Sequence, residues 1–463
     1  MIGLRGWVAA TALAAGIAGG IASPALAQDA DAKAILMKSI NFRTVPGPDS
    51  QAVAYGEYLA GLLTAAGIPA SDIEVKKREE TATLVARWRG TSSTLKPIIL
   101  SGHMDVVEAK REDWERDPFV AVEENGYVFG RGALDNKLGL STMVAAIIDL
   151  KKAGFKPGRD IILALSGDEE TFMVTTQALA QELKGAEMVL NSDAGGALLD
   201  ETTGKPLVYG LQAGEKTYAD FELTFTDPGG HSSRPGATNP IYSLSRSLDR
   251  ISGYTFPVLQ NELTKAYFTA AAAQTGGPIG DAMRRFAANP QDQAVVATLR
   301  ADPEYVGQIG TTCVATMLSG GHAPNALAQR ATATINCRIF PGTSVASVQA
   351  KLAEVAADPK LTIRKIEAGA VESDASPLRA DVMAAVRKAV DSYSKGLPIV
   401  PQMSAGATDG MHFRAVGIPS YGVGGNFLKS SDDFSHGLNE RVPVATIAPA
   451  VTMWKILLRD LAK

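Results

Sequence analysis

Pro97-Ile98-Ile99-Leu100-Ser101-Gly102-His103-Met104-Asp105 decides the architecture of this chain. A short apolar run without polar alternation is what a strand covered on both faces requires. This run stops abruptly on His-x-Asp. Two more stretches repeat the pattern: Ile161-Ile162-Leu163-Ala164-Leu165-Ser166-Gly167 enters Asp168-Glu169-Glu170, and Met188-Val189-Leu190-Asn191-Ser192 enters Asp193. In open α/β sheets, ligand sites lie beyond the carboxyl ends of such strands. Three strand ends carrying complementary His, Glu and Asp side chains therefore predict a metal site at the rim of a mainly parallel, helix-flanked sheet.

Outward from these strands, residues 32–42 and 51–66 read as helices, the second stopped by Gly67. Residues 81–89 alternate as a strand. Residues 137–152 carry helical periodicity and close at Gly154, which places Asp135 just before a helix packed on the sheet. Strand and helix patterns alternate to about Gly210, the signature of an α/β fold. The character changes near Gly214. Residues 217–226 alternate apolar and polar, as a half-exposed antiparallel strand should. A helix over 240–251, an Ala-rich helical stretch to about Val306, a hairpin of strands 311–318 and 330–340, a helix over 345–356 and a strand over 361–366 complete an inserted α+β unit. The expected division is residues 28–213 and 371–463 for a discontinuous α/β domain, and 214–370 for the insertion.

The first 27 residues read separately. Arg5 precedes an apolar Ala/Gly-rich stretch, and Ala25-Leu26-Ala27 is an A-x-A cleavage signal, so a secretory signal peptide is expected. A membrane anchor fits less well, because the stretch is short and glycine-rich for a span. The mature protein is expected to be exported, most simply to a bacterial periplasm, and free of the membrane. With 463 residues and a net charge of −4, the chain has no basic patch suited to nucleic acid. Cys313 and Cys337 fall on successive strands of the predicted hairpin. A cross-strand disulfide is geometrically open to them, and buried free thiols are the preferred reading.

His103, Asp135, Glu170, Asp193 and His436 form a mixed His/carboxylate set that suits zinc better than magnesium or calcium. Five ligands over-supply one ion. Two ions sharing a carboxylate would each keep about three protein ligands, with room for a water between them. Glu169, next to Glu170, is then placed to take a proton from that water, and Asp105 to orient the His103 imidazole.

Six motifs follow those of a known family in order: Gly102-His103-Met104-Asp105-Val106-Val107, Gly130-Arg131-Gly132-Ala133-Leu134-Asp135-Asn136-Lys137, Gly167-Asp168-Glu169-Glu170, Asp193, His231-Ser232-Ser233-Arg234-Pro235 and His436-Gly437-Leu438-Asn439-Glu440. The chain resembles the co-catalytic zinc family of aminoacylases, glutamate carboxypeptidases, carnosinase-like dipeptidases and succinyl-diaminopimelate desuccinylase. The resemblance implies two Zn²⁺ per subunit, replaceable by Co²⁺ or Mn²⁺. Asp135 would bridge them, with His103 and Asp193 on one ion and Glu170 and His436 on the other. Glu169 would be the general base and Asp105 the support of His103. The insertion would be a lid carrying a homodimer interface, from which His231 reaches the partner's site to stabilise an oxyanion. Arg338 and Asn325 would contact substrate, Arg338 through a terminal carboxylate, and the loop holding Thr408 and Asp409 would close over the substrate end. Asn136 departs from the acidic residue, Met or Cys of many members, and the stretch 253–310 is longer than in compact ones.

The expected activity is hydrolysis of an amide beside a free carboxylate, in a small peptide or an N-acyl amino acid. The enlarged insertion leans this towards a carboxypeptidase. An aminopeptidase with the same metals would recognise an amine, against which Arg338 argues. A metal-free binding protein would have lost ligands or the base, and all six are present.

Overall fold

A computed structural model describes residues 24–366 and 371–463. The expected signal peptide falls outside the described residues as far as residue 23, and so does the end of the expected insertion at 367–370. No described helix is long and apolar enough to cross a membrane.

The main sheet has ten strands. Its centre is parallel, with Ile161–Ser166, Ile98–His103, Met188–Asn191 and Ser420–Gly422 side by side. Leu100 stands opposite Leu163 on one side and Leu190 on the other. Every residue of Ile98–His103 and Ile161–Ser166 is buried, because both faces are covered. Ile98, Leu100, Ile161, Leu163, Met188 and Leu190 point into a core shared with helices Lys137–Lys152 and Ile447–Leu461. The alternate residues Ile99, Ile162, Ala164 and Val189 meet Leu179 and Phe413 from helices Val174–Glu182 and Gly410–Ala415. Period-two geometry thus sends each run into two cores.

The sheet edges depart from the parallel expectation. Ile73–Arg78 and Thr81–Trp88 add antiparallel to Ile161–Ser166. Pro206–Glu215 and Gly196–Leu199 form an antiparallel pair on the other side, where Ile399–Ser404 and Phe427–Lys429 pair parallel to them. Short connections join the antiparallel pairs Ile73–Arg78 with Thr81–Trp88 and Gly196–Leu199 with Pro206–Glu215, as parallel neighbours could not be joined.

Residues beyond Lys216 build a second sheet in the order Thr312–Gly320, Arg330–Ile339, Thr217–Thr226 and Thr362–Ile366, all antiparallel. Helices Pro240–Ser252 and Val345–Ala356 close one face of it over Phe221, Leu223 and Ile335. Cys313 and Cys337 are paired residues in this ladder, with Cα atoms 4.1 Å apart, and they form a disulfide. The expectation of free thiols is therefore corrected: register brings both side chains to the same face, a relation that the sequence separation of 24 residues does not reveal.

The long helical stretch forms helices Glu262–Thr275, Gly277–Ala288, Gln293–Arg300 and Pro303–Val306 around Phe268, Met283, Phe286 and Leu299. Its first helix starts at a capping box between Asn261 and Thr264. Leu263 reaches the main core, so this helix leans on the main sheet rather than on the second sheet alone. A three-stranded sheet of Val122–Glu124, Tyr127–Phe129 and Arg441–Pro443 was not legible in the sequence.

Candidate metal centre

His103 is the last residue of its strand. Glu169, Glu170 and Asp193 follow the ends of the flanking strands, and Asp135 stands two residues before helix Lys137–Lys152. His436 arrives from the C-terminal segment in a left-handed conformation with φ +60°. Such a backbone costs a non-glycine residue about 1–2 kcal/mol, and Arg131 helps to hold it, donating to the His436 and Gly437 carbonyls at 3.3 and 3.2 Å.

The five expected ligands converge. His103 Nε2 lies 2.9 Å from Asp135 Oδ1 and 3.4 Å from Asp193 Oδ1. His436 Nε2 lies 2.9 Å from Glu170 and 3.3 Å from Asp135 Oδ2. Asp135 thus turns one oxygen to each histidine. Two groups able to hold a cation share it: His103, Asp135 and Asp193 form one, and Asp135, Glu170 and His436 the other. A third combination joins His103 to Glu169 and Glu170.

The His103 Nδ1 atom lies 3.0 Å from the Asp105 carbonyl oxygen. A proton there leaves the Nε2 lone pair facing carboxylate oxygens, and acceptors at 2.9 Å require a positive charge. Without a metal that charge is a proton. Burial disfavours it on His103, but Asp193, Asp105 and Asp135 outweigh burial and lift the imidazole pKa well above its ordinary value. Hydrogen bonds to Asp135 and Glu170 raise His436 to about 10. Burial pushes Asp193 up to about 7 against the pull of His103. The donor set fits a divalent cation, which removes the need for these protons.

Asp105 does more than the expected support of His103. Its buried carboxylate accepts the Glu169 and Glu170 backbone N–H groups at 3.1 and 3.0 Å. It therefore sets the candidate base and one expected ligand relative to His103. Glu169 itself is buried, and desolvation raises its pKa well above the usual carboxylate range. Asn136 holds Asp193 by donating to Oδ1 at 3.1 Å, and accepts Ser192 Oγ–H at 2.7 Å. Gly102 makes room, since a Cβ there would fall 2.6 Å from Ser192 Oγ and 2.7 Å from Asn136 Oδ1.

A buried carboxylate from beyond His436 organises the Asp135 loop. Glu440 accepts the backbone N–H groups of Gly132, Leu134 and Asp135 at 2.8–3.0 Å and pairs with Arg131 at 2.7 Å. Both residues were visible only as motif letters, because nothing in their spacing says that they meet.

The remaining expected residues are spread out. Thr408 lines a cavity of about 510 Å³ with Asp135, Glu169 and His436. Asp409 does not belong to that lining. Its carboxylate is buried and accepts Ser166 Oγ–H at 2.9 Å and a short bond from Thr176. Its expected contact with substrate is thus replaced by support of the loop from below. Arg338 donates to the Ala405 carbonyl at 2.6 Å in that same loop and stacks over Tyr218, 4.7 Å from the ring centre. His231 is exposed on a two-stranded ribbon of the insertion, where it pairs with Ala326, and Asn325 is exposed in the turn just before that strand. The Ser233 hydroxyl lies 2.8 Å from His231 Nδ1. Among the described residues, no contact joins His231 to the ligand cluster.

Comparison with known proteins supports the same reading. The chain is 27% identical over 385 residues to an N-fatty-acyl-amino acid synthase/hydrolase from Xenopus tropicalis, covering 80% of this chain and 74% of that one. It is 28% identical over 413 residues to succinyl-diaminopimelate desuccinylase from Cereibacter sphaeroides, covering 87% and 92%. The fold is similar to that of an M20 family metallo-carboxypeptidase from Sulfolobus solfataricus, with a TM-score of 0.67 at 19% identity, over 93% of this chain and 99% of that one. The model for peptidase family M20/M25/M40 matches residues 99–460, from the His103 strand to the final helix. Because that span holds all five converging side chains, the base candidate and the whole insertion, the chain belongs to peptidase family M20/M25/M40.

Proposed function

We propose that this hydrolase is an exported zinc enzyme that cleaves the amide of an N-acyl amino acid or small peptide next to a free carboxylate. The observation carrying the reading is the opposed pair of imidazoles on one Asp135 carboxylate, with buried Glu169 beside them. His103, Asp135 and Asp193 would hold one ion, and Asp135, Glu170 and His436 the second. When bound, such ions polarise a carbonyl and make a water more acidic. Glu169 accepts the proton of the attacking water on a carboxylate oxygen as the water oxygen bonds the amide carbon. It returns that proton to the leaving nitrogen, so the C–N bond breaks to give a carboxylic acid and an amine. Among the relatives, an N-fatty-acyl-amino acid synthase/hydrolase supports an N-acyl substrate, and a probable carboxypeptidase S-like protein from Dictyostelium discoideum supports the carboxypeptidase preference drawn from the sequence.

Arg338 would read the substrate carboxylate, a role supported by its contact with Ala405 beside the cavity residues Ser404 and Ala407. One N–H bonds the Ala405 carbonyl, and the rest of its five-donor fork stays available for bidentate pairing. Arg338→Ala should raise KM about tenfold to a hundredfold for free-acid substrates, with Arg338→Lys recovering only part. Amides of the same compounds should be poor substrates of the native enzyme. Activity should vanish on chelation and return with zinc, cobalt or manganese. Equal cleavage of acid and amide forms would reject the carboxylate reading, and full activity in a metal-stripped sample would reject the metal.

The export reading rests on the leader sequence. A homodimer through the insertion is supported by the edge strand Thr312–Gly320, paired on one side with Arg330–Ile339, which exposes Val314, Met317 and Leu318. In such a dimer His231 would donate to the oxyanion in the partner's site, which agrees with its having no contact with the ligands of its own chain among the described residues.

A further inference from the structure

Two cavities meet at the ligand cluster. The cavity of about 510 Å³ runs towards Ser404–Thr408, where Arg338 rests on Ala405. A second, of about 620 Å³, shares Asp135, Asp193, Gly195 and Gln402 with it and extends to residues of the insertion, which the first does not reach. Its floor carries an apolar strip, Ala197, Val208, Val400 and Leu428, on the edge strands of the main sheet, with Asn136, Gln402 and Asn426 beside it. Its wall comes from the helical stretch that enlarges the insertion. Tyr267, Ala271 and Gln274 stand at i, i+4 and i+7 of helix Glu262–Thr275, one face of that helix, and Tyr305 adds a buried ring from the short helix Pro303–Val306. Burial raises Tyr267 to about 12, so its ring stays neutral. The charged side chains Glu304, Lys429 and Asp433 also contribute to the lining, so the groove is not apolar throughout.

An amide held at the cluster with its carboxylate towards Arg338 must send its acyl group the other way. We propose that this second lobe binds an apolar acyl chain, of medium length or longer, and that Tyr267 and Ala271 determine how long a chain the enzyme prefers. The inference rests on the amide-hydrolase reading and adds a substrate class to it. A concave groove with an apolar strip continuous with the reacting centre gives a hydrolase remote binding energy to use.

The test compares kcat/KM for N-acetyl, N-octanoyl and N-dodecanoyl derivatives of one amino acid. Burial of each methylene is worth roughly a threefold gain, so octanoyl should exceed acetyl by about 10²–10³-fold. Ala271→Trp fills the groove and should lower the octanoyl-to-acetyl ratio at least about tenfold, with metal content unchanged. Ala271→Leu should move the ratio the same way by less, and it serves where the tryptophan variant fails to fold. Binding of cis-parinaric acid to the metal-stripped full chain, followed by fluorescence, should weaken in the same variants. A native enzyme indifferent to chain length, or an unchanged ratio in folded Ala271 variants, would overturn the proposal. Arg338-dependent cleavage of dipeptides without cleavage of long acyl compounds would sink the groove and leave the amide reading standing. Cleavage of neither class would sink the amide reading itself.

Discussion

Glu169 is a carboxylate held in a dry position by backbone, its N–H bonded to Asp105 and its side chain buried among other acids. Desolvation makes it a stronger proton acceptor than a surface glutamate, which is what a base acting near neutrality needs. Glu169→Gln should keep metal content and melting temperature while lowering turnover by about 10²–10⁴-fold. Near-native turnover in that variant would show the base to be elsewhere. His412 shows the opposite use of burial. It lies inside helix Gly410–Ala415, its Nε2 has no hydrogen-bond partner among the described residues, and desolvation lowers its pKa from 6.5 to about 4. The folded form therefore keeps it neutral while the unfolded chain takes up a proton. Stability present above pH 6.5 is lost as pH falls towards 4, by about 3 kcal/mol in all. Urea unfolding at pH 7 and pH 4.5 should show a smaller loss for His412→Leu than for the native protein, and equal losses would remove His412 from the acid sensitivity.

At the scale of elements, the metal centre depends on two loops that never neighbour each other in sequence. Strand Tyr127–Phe129 runs into the loop of Arg131 and Asp135, and strand Arg441–Pro443 leaves the loop of His436 and Glu440. These strands pair antiparallel, Arg441 opposite Phe129, and the Gly130 N–H continues the ladder to the Glu440 carbonyl at 3.0 Å. Beyond it, the Glu440 carboxylate takes three backbone N–H groups of the Asp135 loop, while Arg131 binds the His436 loop. The buried pair is thus a clamp that sets the distance from Asp135 to His436. Glu440→Gln leaves Arg131 buried without its counter-charge, a loss of about 3–5 kcal/mol. It should lower the melting temperature and release metal first from the site that includes His436, read as bound metal per chain during stepwise chelation. Unchanged retention would mean that the ligands hold themselves in place.

In the whole molecule, the proposed function gives the insertion two jobs, reading substrate and meeting a partner. Its second sheet carries Arg338 opposite Tyr218 on an inner pair of strands, while its edge strand shows Met317 and Leu318, 68% and 71% exposed. An exposed apolar edge is an invitation to association. Met317→Glu with Leu318→Glu should turn a dimer into a monomer in sedimentation and reduce turnover by about 10²–10³-fold, the cost of one missing oxyanion donor, if His231 acts across the interface. Mixing His231→Ala with Glu169→Gln subunits should then restore part of the activity. A native monomer active at high dilution would end the in-trans assignment.

What the sequence determined by itself was local chemistry in a global order. Apolar runs such as Ile98–Leu100 cannot sit anywhere but in a covered sheet, so the α/β class and the strand-end positions of His103, Glu170 and Asp193 were legible. Strand Thr217–Thr226 matched its periodicity to the residue, because burial on one face writes its period into the chain, and helix Lys137–Lys152 matched its expected bounds although it is buried all round from Lys137 to Ile147. Tertiary structure alone decided what depends on register and on side chains meeting across long loops. It joined Cys313 to Cys337, withdrew Asp409 beneath the loop, and set Glu440 against Arg131, 309 residues apart. It also laid helix Glu262–Thr275 along a cavity that begins at the ligands. Pairing energies of this kind depend on distance in space, and spacing along a chain carries no record of it.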